Sequence, residues 1–127
     1  MLAAAPCLAS TQGYPSRPVH WIVAAAPAGG NDIFARLIGE FLSVRLGQPF
    51  VVENRPGGSN NIGTEYVINS PPDGYTVMFV GPNNAISASV FKKLPFDFLR
   101  DTAPVGGIML LTNIMVVPPS LPVSTVA

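Results

Sequence analysis

The sequence predicts an α/β domain with a mostly parallel sheet, and two observations carry that prediction. Runs of β-branched and aromatic residues alternate with stretches of helical periodicity in the order β-α-β-α-β. The connections between them are short, and a parallel pair of strands needs a crossover of about a dozen residues, which is usually a helix. The chain has 127 residues, of which 48% are apolar, so it can build one core but not two full domains. We therefore expect one domain with right-handed crossovers.

The first β-α pair is the clearest part of the pattern. A strand is predicted over 19–24, where β-branched and aromatic residues stand between prolines. A helix follows over 32–46, and Asn31 or Asp32 can cap its first turn while Gly47 ends it. Its apolar residues recur at the spacing of one helix face, which we expect to be the buried one: Ile33, Phe34, Leu37, Ile38, Phe41, Leu42 and Leu46.

The next two strands enclose a second helix. A short strand is predicted over 50–53, and a turn rich in glycine and asparagine leads from it to a helix over 62–69. Asn60 or Asn61 is the expected cap of that helix. After a proline-rich turn, a third strand is predicted over 75–80.

The pattern weakens after the third strand. A loop is predicted over 81–86 and a short helix over 87–93. Two further strands are candidates over 104–111 and 113–117, the first weakened by its paired glycines. Residues 118–127 have the composition of a lead-in to another helix.

The first 13 residues differ in composition from the rest and are predicted to be the remnant of a signal peptide, rich in alanine and other small residues. They contain the single cysteine, Cys7, so no intrachain disulfide is possible. A lipoprotein anchor is the alternative role for Cys7, but Pro6 before it does not suit such a site. Beyond this segment no run of about 18 apolar residues occurs, so no transmembrane helix is expected.

Three loops follow predicted strands and open predicted helices, at residues 26–32, 55–61 and 81–86. Backbone N–H groups in such loops can bind an anion, and ligands of open α/β sheets bind at the carboxyl ends of the strands. The alternative is a plain turn with glycines for conformational reasons. The first two loops are rich in glycine. Neither carries the Lys-Ser/Thr pair of a P-loop, and neither matches G-x-G-x-x-G, so nucleotide binding is disfavoured.

Charge and side-chain chemistry exclude other functions. Seven basic and seven acidic residues balance, so nucleic acid is not an expected partner. The single histidine, His20, lies inside a predicted strand, and neither a nucleophile elbow nor a spaced cluster of metal ligands occurs. Asp32 suits a helix cap and Asp73 a turn. Glu53 and Glu65 suit partners for Arg55 or exposure to solvent. A capped, solvated turn is expected from three further residues: Asp97, Arg100 and Asp101.

Several motifs in a fixed order resemble one receptor family. The motifs are YPSRPV (14–19), GGNDIFARL (29–37), LGQPFVVENRPG (46–57), NIG (61–63), PDGYT (72–76), LPFD (94–97) and the region 116–122. In this order they resemble the Bug-type extracytoplasmic receptors, which are the substrate-binding proteins of tripartite tricarboxylate transporters. The resemblance covers nearly everything from Tyr14 onward.

The resemblance implies a periplasmic receptor with two lobes of the type II periplasmic-binding-protein kind. Such a receptor closes over a small carboxylate and delivers it to membrane permease subunits, with no cofactor and no chemical step. In that family the loops after the first and third strands bind the ligand. They correspond here to Pro27, Ala28, Gly29, Gly30, Asn31, Asp32, Gly81, Asn83, Asn84, Ala85 and Ile86.

Two departures from the family accompany the resemblance. Ala28 and Ser59-Asn60 stand where relatives often carry glycine. The chain is also much shorter than family members, so we expect residues 14–127 to be the amino-terminal lobe, ending near the start of the second, with weak or no ligand binding on its own. The alternatives are a truncated paralogue that binds nothing or, less favoured, an enzyme of unknown type.

Overall fold

Three strands and three α-helices alternate in the part of the chain that the computed structural model describes, residues 13–110 and 116–121. In chain order they are β1 (Val19–Val23), α1 (Gly30–Leu46), β2 (Phe50–Asn54), α2 (Asn61–Ile68), β3 (Thr76–Phe79) and α3 (Pro82–Val90), with a 3₁₀ turn over Gly58–Asn60 before α2. The strands form one sheet in the order β2-β1-β3, and both pairings are parallel. The predicted α/β class and its parallel sheet are confirmed.

The register brings the carboxyl ends of the three strands to one level. Val23 at the end of β1 pairs with Asn54 at the end of β2 and with Phe79 at the end of β3. The segments that leave these residues therefore begin side by side. This edge of the sheet carries all three loops singled out by the sequence.

The opposite edge of the sheet is closed by hydrogen bonds from the amino-terminal segment. The hydroxyl of Tyr14 donates to the carbonyl of Gly74 at 2.6 Å, and the guanidinium of Arg17 pairs with the Asp73 carboxylate at 2.7 Å. Arg17 also lies over the ring of Tyr75, 4.0 Å from its centroid. Asp73 accepts from the backbone N–H of Tyr75 as well, which confirms its predicted place in a turn.

Strand β1 is the core of the fold because helices cover both faces of the sheet. Trp21 and Val23 pack with Ala35 of α1 and Phe79 of β3 on one face. On the other face α2 approaches so closely that a Cβ on Gly63 would lie 2.7 Å from the Ala24 Cβ. Burial on both sides explains why this strand is apolar except at the partly exposed His20.

Helix α1 forms as predicted, but the predicted buried face is wrong. Its most buried residues are Asp32, Ala35 and Gly39, and Ile38 and Leu42 are half-buried against the core. Apolar residues occupy two adjoining sides of the helix, so periodicity alone could not choose between them. Five of the seven residues assigned to the buried face are exposed: Ile33, Phe34, Leu37, Phe41 and Leu46.

The predicted cap of α1 is wrong, whereas Asn60 is the N-cap of α2 as predicted, although its side chain makes no capping hydrogen bond. The residue before α1 is Gly29, and no side chain caps the helix. Asp32 turns back to accept a hydrogen bond from the N–H of Ala28, which precedes the helix. The backbone N–H groups in the first turn of α1 therefore receive no capping hydrogen bond from a side chain.

The region after β3 departs most from prediction. Helix α3 begins at Pro82, inside the predicted loop 81–86, because proline suits the first turn of a helix, where its missing N–H is not needed. It ends at Val90 rather than at 93. The capped turn of Asp97, Arg100 and Asp101 is confirmed, with Asp97 accepting from the backbone N–H of Arg100 and a 2.7 Å ion pair between Arg100 and Asp101.

The two later strand candidates are not formed where the structure describes them. Residues 104–110 lie outside any strand, and Gly106 and Gly107 supply no side chain that could pack a strand in place. Residues 116–117 are likewise not in a strand, and 118–121 form a turn. The remaining parts of these predictions, 111–115 and 122–127, lie outside the described residues, as does the leader apart from Gly13.

Candidate ligand-binding site

Three segments meet at the carboxyl edge of the sheet, and we call residues 26–31, 57–61 and 81–86 the loop edge. The first and third segments touch, since a Cβ on Gly81 would lie 3.0 Å from the Asn31 side-chain nitrogen. The second and third are tied by a hydrogen bond from the Ser87 hydroxyl to the Ser59 carbonyl, 3.0 Å long. The three segments therefore adjoin one another, and of the predicted site residues Asp32 and Asn84 are buried beneath them.

The first segment presents backbone N–H groups. The first backbone hydrogen bond of α1 runs from the N–H of Ile33 to the carbonyl of Gly29 at 3.0 Å. The amides of Gly30 and Asn31 precede that bond, so the helix itself offers them no acceptor. Residues 26–30 are exposed. The positive end of the 17-residue helix thus faces solvent.

The backbone of the first segment is held in a conformation unusual for its sequence. Ala28 has φ of 64°, in the left-handed region that favours glycine. Its N–H donates to the Asp32 carboxylate at 2.9 Å, which fixes the turn. The same holds in the second segment, where Ser59 and Asn60 have φ of 52° and 75°.

Asp32 supports the first segment from beneath. Its carboxylate is buried and accepts from the Arg36 guanidinium at 2.9 and 3.1 Å, and from the Asn54 side-chain amide at 2.9 Å. The Arg36 hydrogen bond, followed by those of Ala28 and Asn54, lowers the pKa of Asp32 to about 2. An ionised carboxylate has no proton to donate to an anionic ligand. In this structure the Asp32 carboxylate therefore holds the loop in place through Ala28, Arg36 and Asn54.

Sequence reasoning missed the partners of Asp32. Arg36 lies four residues further along the same helix, which is the spacing of neighbouring side chains, so this pair could have been found. Asn54 could be assigned only once β2 was known to lie beside β1. Its side chain also donates to the carbonyl of Ala25 at 3.3 Å, which links the first two segments.

Asn84 has a structural role in the third segment. Its side-chain oxygen accepts from the N–H of Gly81 at 3.0 Å, and its nitrogen donates to the hydroxyl of Thr64 at 2.9 Å. That hydroxyl donates in turn to the carbonyl of Asn60 at 2.8 Å. Asn84 is buried, whereas Asn83 is exposed, so these neighbouring amides have different roles.

The neighbouring surface is apolar and shallow. Ile86 and Val90 of α3 are exposed and line a depression together with Phe91 and Ser59. Ala85 is exposed as well. Polar amides thus stand beside methyl and aromatic groups, an arrangement that suits a small organic anion.

His20 lies away from the loop edge, and its side chain pairs with Glu53 of the neighbouring strand β2. Its Nδ1 is 2.5 Å from the carboxylate of Glu53, and Glu53 is 3.3 Å from the guanidinium of Arg55. The hydrogen bond with His20 is the largest cause of a lowered pKa of Glu53. Arg55 in turn lies over the ring of Tyr66, 3.6 Å from its centroid. The predicted pairing of Glu53 with Arg55 is confirmed, and His20 joins that network.

Fold and site together define a class of protein: an α/β domain with a parallel sheet, at whose carboxyl edge helix amino termini meet. Among residues 13–110 and 116–121, no group of His, Cys, Asp and Glu side chains could hold a metal ion. In that same part of the chain, no helix combines the length and apolar character needed to span a bilayer.

Comparison with known proteins gives the family. Residues 34–127 match the family model described as "Tripartite tricarboxylate transporter family receptor", abbreviated TctC. The chain belongs to this family. The predicted resemblance is confirmed, and so is the expectation that the chain is not an enzyme, because the family is one of receptors.

Individual relatives and solved structures support the same family assignment. A protein of Bordetella bronchiseptica is 38% identical over 110 residues, which are 86% of this chain and 33% of that protein. A structure described as a periplasmic transporter is 40% identical, with a TM-score of 0.61, over 67% of this chain and 29% of that one. MatC from Rhodopseudomonas palustris, solved with bound malate, is 32% identical with a TM-score of 0.64, over 69% of this chain and 30% of MatC. The chain thus spans about a third of the length of these relatives.

Proposed function

We propose that this chain forms one wall of the ligand site of an extracytoplasmic receptor, and that its loop edge binds a carboxylate of a small organic acid. The observation that carries the proposal is the convergence of three strand ends and two helix amino termini on one exposed surface. Helix amino termini attract anions through free N–H groups and the helix dipole. Malate, bound to the relative MatC, is an acid of this class.

Individual residues take distinct parts in this proposal. The amides of Gly29, Gly30 and Asn31 are the donors at the first segment, and the exposed Asn83 side chain is the donor at the third. Asp32 and Asn84 hold those segments in place through buried hydrogen bonds. Pro27, Ala85 and Ile86 supply apolar contact around the carboxylate. Arg36 neutralises Asp32, so its buried charge does not repel the ligand.

The proposed site is one side of a cleft. Ligand pockets bury most of a small ligand's surface, and a single wall provides only part of that burial. We propose that residues 14–127 correspond to the first lobe of the family's two-lobe fold. The isolated chain is then expected to bind malate weakly. In this proposal the receptor works in the periplasm and delivers its ligand to membrane permease subunits, as the family description implies.

A matched pair of variants tests the site. Asn83→Asp places a negative charge at the loop edge, whereas Asn69→Asp makes the same change at the exposed end of α2. Titration with malate, followed by NMR at constant ionic strength, should show affinity falling by about tenfold or more in Asn83→Asp, equivalent to about 1.4 kcal/mol. Asn69→Asp should bind as the parent chain does.

Two results would count against the proposal. Equal affinities of the two variants would remove Asn83 from the site. No response of the parent chain to malate, beyond that to sodium chloride at equal ionic strength, would favour a paralogue that binds no ligand.

A further inference from the structure

Thr64 lies beneath the loop edge, outside all three of its segments, and its side chain connects two of them. It stands in the first turn of α2 and is 2% exposed. Its hydroxyl is 2.8 Å from the carbonyl oxygen of Asn60 in the second segment and 2.9 Å from the side-chain nitrogen of Asn84 in the third. The oxygen of the Asn84 amide is 3.0 Å from the backbone nitrogen of Gly81. We call these residues the Thr64 network: Asn60, Thr64, Asn84 and Gly81.

Each hydrogen bond of the Thr64 network has a fixed direction. The backbone N–H of Gly81 can only donate, so the Asn84 oxygen must face it and the Asn84 nitrogen must face Thr64. The carbonyl of Asn60 can only accept, so the single hydroxyl proton of Thr64 goes to Asn60, and the Thr64 oxygen accepts from Asn84. Reversing one bond would set two donors or two acceptors against each other. The network therefore needs a group at position 64 that both donates and accepts.

Both ends of the Thr64 network lie where the loop edge is tightly constrained. Asn60 has a left-handed backbone, with φ of 75°, and such a conformation persists where surrounding contacts hold it. Gly81 lies against the first segment, since a Cβ there would be 3.0 Å from the Asn31 side-chain nitrogen. Through Asn84, Thr64 thus connects the second segment with the place where the first and third segments meet.

We propose that Thr64 is a positioning residue for ligand binding, because its hydroxyl sets the orientation of the Asn84 amide and, through it, the start of α3. The proposal rests on the proposed carboxylate site, since Asn83 in that first turn is one of its donors. Without the hydroxyl, the buried Asn84 nitrogen loses its partner, and the amide gains another only by turning away from Gly81. The turn must then be ordered when the ligand binds, which lowers affinity. The second segment, which supplies none of the proposed donors, thereby affects binding.

Two substitutions at position 64 separate the hydroxyl from the shape of the side chain. Thr64→Val keeps the shape and removes the hydroxyl, whereas Thr64→Ser keeps the hydroxyl and removes a buried methyl group. Both should lower the midpoint of thermal unfolding, because one leaves buried polar groups unpaired and the other leaves a small cavity. Thr76→Val, on the first residue of β3 at the amino edge of the sheet, controls for the loss of a threonine hydroxyl elsewhere.

Malate affinity should follow the hydroxyl rather than the stability. Titration by NMR, well below the unfolding transitions, should show affinity falling by about tenfold in Thr64→Val. Thr64→Ser and Thr76→Val should bind as the parent chain does. Equal affinities of Thr64→Val and the parent chain would overturn the proposal. A parallel loss in Thr64→Ser would overturn it as well, because affinity would then follow stability alone.

A measurement without ligand distinguishes failure of this proposal from failure of the carboxylate site. Exchange of the Gly81 amide hydrogen with water, followed by NMR, should be about tenfold faster in Thr64→Val and unchanged in Thr64→Ser. The Phe50 amide, which donates to the Ser43 hydroxyl at 2.8 Å, is the internal reference and should not change. Unchanged exchange at Gly81 in Thr64→Val would overturn the proposal whether or not malate binds. Faster exchange there, with no malate binding by the parent chain, would overturn the proposed function while supporting the role of Thr64 in ordering the start of α3.

Discussion

At the scale of single residues, the loop edge contains a strained backbone conformation at Ala28. Ala28 has a left-handed backbone, which costs a residue with a Cβ about 1–2 kcal/mol relative to its usual regions. Glycine adopts that conformation freely. The site therefore contains strain that a single substitution can remove.

We expect Ala28→Gly to raise the free energy of unfolding by about 1 kcal/mol. The same substitution inside α1, Ala35→Gly, should lower it by about 1 kcal/mol or more, since it adds backbone freedom and removes a buried methyl group. Urea unfolding followed by circular dichroism measures both changes. If Ala28→Gly lost as much stability as Ala35→Gly, the backbone at Ala28 would not be strained.

The Asp32 carboxylate makes stability depend on pH in a defined window. Its pKa is about 2 in the folded chain against an ordinary value of 3.8. Because the folded-state pKa is lowered, the stabilisation is fully present above 3.8 and is lost as the pH falls through that value toward about 2. The hydrogen bonds from Arg36, Ala28 and Asn54 are the cause.

Unfolding free energies of the parent chain and of Asp32→Asn, measured by urea across this pH range, test the assignment. The parent chain should be the more stable of the two at neutral pH. The difference should shrink as the pH falls below 3.8. A difference that stays constant down to pH about 2 would show that Asp32 is not held as an ion pair with Arg36.

At the scale of elements, the contact of α2 with β1 depends on one glycine. A Cβ on Gly63 would stand 2.7 Å from the Ala24 Cβ and 2.8 Å from the carbonyl oxygen of Arg55. Neither neighbour is the flexible end of a side chain, so the helix itself would have to move. The second segment of the loop edge is attached to the same helix.

Gly63→Ala should therefore destabilise the chain by about 1–3 kcal/mol. Gly30→Ala is the control, because nothing lies within 4 Å of a Cβ there and its backbone is helical. Thermal unfolding followed by circular dichroism compares the two. Equal midpoints for both variants would mean that α2 packs less closely on β1 than described.

The sequence predicted those strands and helices whose residue types and hydrophobic periodicity match the surroundings in which they pack. Strand β1 and helix α1 have β-branched and helical patterns that match their environment, so their positions were found. The start of α3 was missed because Pro82 and the asparagines after it have the composition of a loop, although proline is favoured in a first helical turn. The buried side of α1 was missed because the helix has apolar residues on a second side too, and hydrophobic periodicity does not tell the two sides apart.

The same reasoning applies to the site. The three glycine-containing segments could be found because each follows a strand, and parallel strands end at one edge. The separate roles of Asn83 and Asn84 could not, since one is exposed and the other buried only through the packing of α3 on α2. The role of Asp32 likewise depends on Asn54, which lies 22 residues away.

At the scale of the whole molecule, the two edges of the sheet differ in kind. The amino edge is closed by Tyr14 and Arg17, whose hydrogen bonds and ion pair fix the turn before β3. Within residues 13–110 and 116–121, the carboxyl edge carries the exposed first-turn amides of α1, for which the helix has no acceptor. This asymmetry is the physical basis for placing ligand binding at the carboxyl edge.

The measurement that tests this account most directly is an amide-resolved NMR titration of the chain with malate. The account predicts shifts concentrated at Gly29, Gly30, Asn31 and Asn83, with Arg17 and Gly74 at the opposite edge unmoved, after correction for sodium chloride at equal ionic strength. Shifts confined to the amino edge, or none at the loop edge, would contradict it.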